Sequence, residues 1–231
     1  MSVCSSQSLE IYLSETKVCP IVDFNKDADR LLVLDFTAAN KDLTKEILND
    51  VNAFSTWVKQ SIESRHCRYG IGGYTEHRTI YSVSPHFDAG EEPRRLHLGV
   101  DIWSGAGTVI YAPLASTVHS FAFNDNRGDY GATIILKHDL ANCTFYTLYG
   151  HLSLKSLDGL TEGQVFAARD KLATLGPPAE NGGWPPHLHF QLISDIGNYH
   201  GDYPGVCRFS EKEMWLKNSP DPQMILKYTF N

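Results

Sequence analysis

Residues 181–192 read NGGWPPHLHFQL. The alternation from His187 onward predicts a strand with Leu188 and Phe190 turned into a core. His187 and His189 then share the opposite face, their backbones roughly 6–7 Å apart. Two imidazoles on one strand face are costly to bury without partners. They are an exposed polar face, or both meet one ion, or one binds an ion while the other reaches what the ion binds.

Upstream, RTIYSV, GVDIW, TVIYAP, STVHSFAF, ATIILKH and CTFYTLYG are short apolar runs, the later ones separated by turn signals at Asn124 to Gly131 and Asp139 to Asn142. Short strands at such spacing predict antiparallel sheets, mainly β and α+β overall. YGIGGY, from Tyr69, reads as a glycine-rich break. Before it, residues 19–37 read as two short strands around a polar turn, LLVLDF being the stronger. Leu43, Ile47, Val51, Phe54, Val58 and Ile62 form one apolar stripe, predicting a single helix over 41–64 that serves packing. Near the C-terminus, Ser210 and Glu213 have capping-box spacing, and Pro220 stops the helix they begin. The expected organisation is an N-terminal appendage (1–80), a β domain (81–205) and a C-terminal extension (206–231).

The chain has 231 residues, 42% hydrophobic and 20% charged, enough to bury a core. A net charge of −7 without a basic run argues against nucleic acid and anionic membranes as partners. No stretch has the make-up of a signal peptide or a membrane span, so the expected location is cytoplasmic. Cys4, Cys19, Cys67, Cys143 and Cys207 are odd in number and form no CxxC pair, which predicts reduced thiols. Cys143 reads as a small buried hydrophobe.

Three motifs matter together. RRLHLGVDIW supplies His97 and Asp101, TLYGHLS supplies His151, and PPHLHFQ supplies His187 and His189. On a straight strand His97 and Asp101 would lie roughly 13 Å apart, so they converge only if the chain bends, most cheaply at Gly99. Together His97, Asp101 and His189 form a ligand set for a divalent ion such as zinc, with a fourth position open to water. His151 and His187 are then free to move protons or stabilise an oxyanion. The same two-histidine, one-carboxylate set also suits a non-haem Fe(II) oxygenase, although the usual spacing there is His-x-Asp.

His-x-x-x-Asp, Tyr-Gly-His-Leu-Ser and Pro-His-Leu-His-Phe, in this order, resemble the lysostaphin-type (LytM-like) zinc metallopeptidases, the glycyl-glycine endopeptidases. HLGVDIWSGAGTVIYAPLASTV and GLTEGQVFAARDKLATLGPPAENGGWPPHLHF resemble that family's connecting stretches, so the likeness spans roughly His97 to Leu192. It implies antiparallel sheets forming an open groove with one zinc per chain on its floor. By position His97, Asp101 and His189 match the metal ligands, and His151 and His187 the catalytic pair. GEEPRRLHLGVDIW and GDYGATIIL are most similar to a cytoplasmic branch, in which such a domain occurs fused to a kinase-like phosphotransferase and a class-III aminotransferase. The expected activity is hydrolysis of an amide bond in a peptide or peptide-like substrate; the alternative is a non-catalytic binding module of the same fold.

Several positions depart from the family. Gln191 stands where Glu is frequent. Glu91 occupies the place of a tyrosine that assists the transition state in some members, with Tyr81, His86 and Tyr149 as candidate replacements. Trp184-Pro185-Pro186 replaces small residues and predicts a narrower or more apolar groove. Tyr149, His86 and Arg95 are the expected substrate contacts, the guanidinium suiting a carboxylate or phosphate.

Overall fold

A computed structural model describes residues 2–3, 5–80, 92–140 and 143–229. The strands are β1 (Ser2–Val3), β2 (Leu31–Leu34), β3 (Tyr69–Gly72), β4 (Leu96–His97), β5 (Val100–Trp103), β6 (Val109–Tyr111) and β7 (Ser116–Asn124). They continue with β8 (Gly131–Asp139), β9 (Cys143–Leu152), β10 (Val165–Phe166), β11 (Lys171–Thr174), β12 (His187–Ile193) and β13 (Val206–Cys207). The helices are α1 (Ser6–Glu15), α2 (Lys45–Asn49), α3 (Val51–Ser64), α4 (Lys212–Asn218) and α5 (Gln223–Leu226). The chain is mainly β, as expected.

The main sheet runs β10-β7-β8-β9-β12-β5-β3-β2, with β1 on the start of β9. Its pairings are antiparallel except β1–β9 and β2–β3. β6–β11 and β4–β13 form two small ladders.

Period-2 alternation divides the sheet into two faces. Val100 and Ile102 of β5, Leu188, Phe190 and Leu192 of β12 and Ile71 of β3 enter one core, together with Leu9 and Leu13 of α1 and Ile225 of α5. Asp101, Trp103, His187 and His189 alternate with them and therefore face the other side. There α3 packs through Phe54, Val58 and Ile62 against Leu34, Phe36, Trp103 and Trp184.

Several expectations change. YGIG is the buried strand β3, not a break. Gly72 is needed there for space, since a Cβ would lie 2.5 Å from Nη2 of Arg78. Of the two strands expected in 19–37, only Leu31–Leu34 forms. Arg78–Ile80 lies outside any strand, and the rest of RTIYSV falls outside the described residues.

The single helix expected over 41–64 is broken at Asp50, whose extended backbone (φ −112°, ψ 109°) lets its carboxylate accept from Asn52 and Ala53 N–H. Ser210 does not cap α4; it donates from its backbone to Glu92 Oε1 at 3.1 Å, and its hydroxyl bonds the same carboxylate. The expectation of reduced thiols fails at Cys143, which is half-buried and disulfide-bonded, while Cys19, Cys67 and Cys207 are free.

Phe54 joins the N-terminal segment to the sheet. Phe54→Ala is expected to cost about 3–5 kcal/mol, measured by urea denaturation.

Candidate metal centre

His97 lies on β4 and Asp101 on β5, and the chain changes ladders between them through Leu98 and Gly99. This is the bend that the His-x-x-x-Asp spacing requires. A Cβ on Gly99 would fall 2.6 Å from His189 Cε1 and 2.7 Å from the Phe190 carbonyl, so a side chain there would displace His189. β12 pairs His189 directly opposite Asp101.

Three ligand atoms converge as a result. His97 Nε2 is 2.9 Å from His189 Nδ1 and 3.2 Å from Asp101 Oδ1, and His189 Nδ1 is 3.1 Å from that oxygen. Among the described residues this is the one group that could hold a metal ion.

Hydrogen bonds fix which ring atoms face inward. His97 Nδ1–H donates to the Gly73 carbonyl at 2.9 Å, and burial pushes this imidazole's pKa down to about 3. It is therefore neutral, and Nε2 presents a lone pair. His189 Nε2–H donates to Gln191 Oε1 at 3.0 Å. Gln191 is held in that orientation because its Nε2 donates to the Pro204 carbonyl and bonds Ser219 Oγ. His189 thus turns Nδ1 towards the carboxylate and the other ring.

Three such atoms about 3 Å apart are stable only with a metal cation or a shared proton between them. Tetrahedral zinc with bonds of about 2.0–2.1 Å separates its ligands by roughly 3.3–3.4 Å, close to the observed triangle. Two imidazoles and a carboxylate therefore fit zinc in both type and size.

The other oxygen of Asp101 is taken by Arg78, whose Nη1 hydrogen-bonds Oδ2 and whose Nε donates to Glu76 Oε2 at 2.8 Å. Arg78 is 1% exposed and Asp101 is equally buried. Burial pushes the Asp101 carboxyl up, but Arg78 and the imidazoles outweigh it and hold it well below the usual carboxylate range.

His187 and His151 complete the site. His187 stacks on Trp103 (ring centroids 4.0 Å, interplanar 13°), and its Nδ1–H donates to the Pro185 carbonyl at 2.8 Å. Its Nε2 is 3.9 Å from Asp101 Oδ2. His151 lies 4.1 Å from His187, ring to ring, and donates Nδ1–H to the Asn181 carbonyl at 2.8 Å.

His151 reaches this face only because β9 breaks its alternation. Tyr149 pairs with Phe190 and Gly150 with His189, so simple alternation would send residue 151 to the core with Tyr149. A register shift against β8 and φ of +62° at His151 turn it to the site. Burial pushes both imidazoles down, His187 to about 4 and His151 well below its ordinary value, so both are neutral near pH 7.

The expected substrate contacts fare differently. Tyr149 is fully buried in the core on the opposite face, where its hydroxyl bonds Thr147; the strand alternation excludes it. Arg95 is not among the residues lining the cavity beside the triangle, whereas Arg94 is. His86, like Tyr81 and Glu91, lies outside the described residues. Three residues that line the cavity carried no sequence signal for it. Arg78 comes from beyond the His97–Leu192 stretch, Trp103 reads as one more strand residue, and Tyr130, whose ring sits 5.1 Å from His189 and 5.5 Å from His151, follows a turn.

Residues 95–200 match peptidase family M23. In that stretch, a little under half of the chain, the protein is similar to a LytM-like peptidase domain. The matched stretch contains the triangle and both further histidines. No curated protein matches the chain in sequence.

Among solved structures, the chain is similar to a zinc-containing peptidase from Vibrio cholerae (25% identity, 42% of this chain and 27% of that one, TM-score 0.34). It is also similar to the catalytic domain of lysostaphin from Staphylococcus simulans (19%, 75% and 98%, TM-score 0.44) and to LytU (24%, 57% and 79%, TM-score 0.37). The chain thus spans about a quarter of the Vibrio peptidase.

Gln191→Leu removes the acceptor that orients His189. It is expected to weaken zinc binding by about 10- to 100-fold, measured by chelator competition.

Acid stability offers a second check. His97, His138, His151 and His187 all have folded-state values pushed below 6.5, mainly by burial. A histidine whose pKa falls on folding costs nothing above its unfolded value and destabilises as pH drops below it. The metal-free protein is therefore expected to lose stability from pH 6.5 towards pH 4, taking up as many as four protons on unfolding, roughly 5 kcal/mol per pH unit at the steepest. Urea melts at pH 7, 6 and 5 would measure this; equal stability at all three contradicts the assignment of neutral buried rings.

Proposed function

We propose that the chain is a zinc-dependent metallopeptidase that hydrolyses an amide bond in a peptide or peptide-like substrate. The match of residues 95–200 to a peptidase family supports hydrolysis. The observation that carries the finer assignment is the convergence of His97 Nε2, Asp101 Oδ1 and His189 Nδ1 beside two further neutral imidazoles.

His97, Asp101 and His189 would hold one zinc, which when bound lowers the pKa of a coordinated water towards 7 and makes hydroxide available near neutral pH. His187 keeps its Nδ1 proton on the Pro185 carbonyl, so Nε2 is the atom able to accept another. His151 is arranged alike, with Nδ1–H on the Asn181 carbonyl and Nε2 left for the cavity. One ring can take a proton from the attacking water at Nε2 and return it to the leaving amine, and the other lies beside it in the same space. Stacking on Trp103 holds the His187 ring plane, so its Nε2 need not be oriented during the reaction. A module that only binds a ligand has no need of these two positioned bases.

Two measurements test the proposal. About one zinc per chain is expected in the wild type and none in His189→Ala prepared identically, by mass spectrometry. His187→Ala and His151→Ala are expected to keep zinc and lose about 10²- to 10⁴-fold in kcat on any peptide the wild type cleaves. Zinc-free wild-type protein after zinc is supplied would overturn the metallopeptidase assignment.

A further inference from the structure

Beside the triangle lies a cavity of about 160 Å³. Asp101, His187 and His189 line one side of it. Ile80, Trp103, Trp184 and Val206 also line it, and these four belong to a single apolar cluster. They are 1–8% exposed, so their positions are fixed by packing. Phe36 and Phe54 support them from the N-terminal segment, with ring centroids 5.0 and 5.9 Å from that of Trp103. Trp103 in turn stacks on His187. The cavity therefore joins the reacting groups on one side and a rigid apolar wall on another, with Arg94, Asp129 and Asp202 lining part of the rest.

Size and lining select the occupant. By volume, a cavity of about 150 Å³ holds one benzene, and the wall of Ile80, Trp103, Trp184 and Val206 is where such a ring would lie. A glycine would leave most of this space unfilled. We propose that the cavity receives one bulky apolar side chain, of leucine to phenylalanine size, from the residue beside the scissile bond. The protein then prefers such substrates to all-glycine ones. The location of the scissile bond rests on the metallopeptidase proposal; the cavity's preference for an apolar side chain does not.

The test uses two probes, N-acetyl-phenylalanine methylamide and N-acetyl-glycine methylamide. Each is titrated into the full chain with and without zinc, and the indole N–H resonances of Trp103 and Trp184 are followed by NMR. The phenylalanine probe is expected to shift both indoles and to bind roughly 10- to 100-fold more tightly than the glycine probe, from the burial of one aromatic side chain. Trp184→Ala should abolish that preference. It keeps the two backbone bonds of residue 184 to Asn181, and so the support of His151. Val206→Ala is the milder variant and should reduce the preference several-fold.

Equal binding of the two probes, or no indole shift with phenylalanine, overturns the proposal. A phenylalanine preference without hydrolysis of any peptide would count against the metallopeptidase assignment alone. Hydrolysis with no preference for an apolar neighbour would overturn the specificity alone.

Discussion

Everything at the site depends on one electrostatic constraint. Two imidazole nitrogens and a carboxylate oxygen meet within 2.9–3.2 Å in a buried setting, an arrangement that needs a metal cation or a shared proton among them. The chain meets this cost by fixing every outward-facing atom. The Gly73 carbonyl holds His97, Gln191 holds His189, and Arg78 takes the second oxygen of Asp101. Each of these partners leaves the inward atom unprotonated or charged, which is the state a metal needs.

The N-terminal segment is part of this apparatus. β3 extends the main sheet beside β5, and its glycine at 72 leaves room for Arg78. Glu76 balances Arg78 and also accepts from Phe36 N–H, which ties the ion pair to the cluster that contains α3. The aromatic contacts then run from Phe54 and Phe36 through Trp103 to His187 and on to His151. The helix expected to serve packing alone thus buttresses a ring at the centre of the site.

Much of the site was legible before the fold. HLHFQL alternates, and its two faces are those the alternation dictates. The bend at Gly99 follows from the distance that His97 and Asp101 must close. Other features were hidden for physical reasons. Tyr149 and His151 are two residues apart and belong on one face by period alone, yet a bulge separates them. Arg78 carries no local pattern, because its role comes from a carboxylate 23 residues further on. The glycines of YGIG signal a break when read locally and a crowded strand once Arg78 and Leu34 are in place.

The sequence by itself determined the residue types of the candidate site, their order and the two-sided character of β12, because residue chemistry and strand period are local properties. Tertiary structure decided which ring nitrogen faces inward, which residues wall the cavity and where Cys143, Tyr149 and Arg95 fall. Those outcomes depend on hydrogen-bond partners and packing neighbours far away in the chain, and no local spacing encodes them.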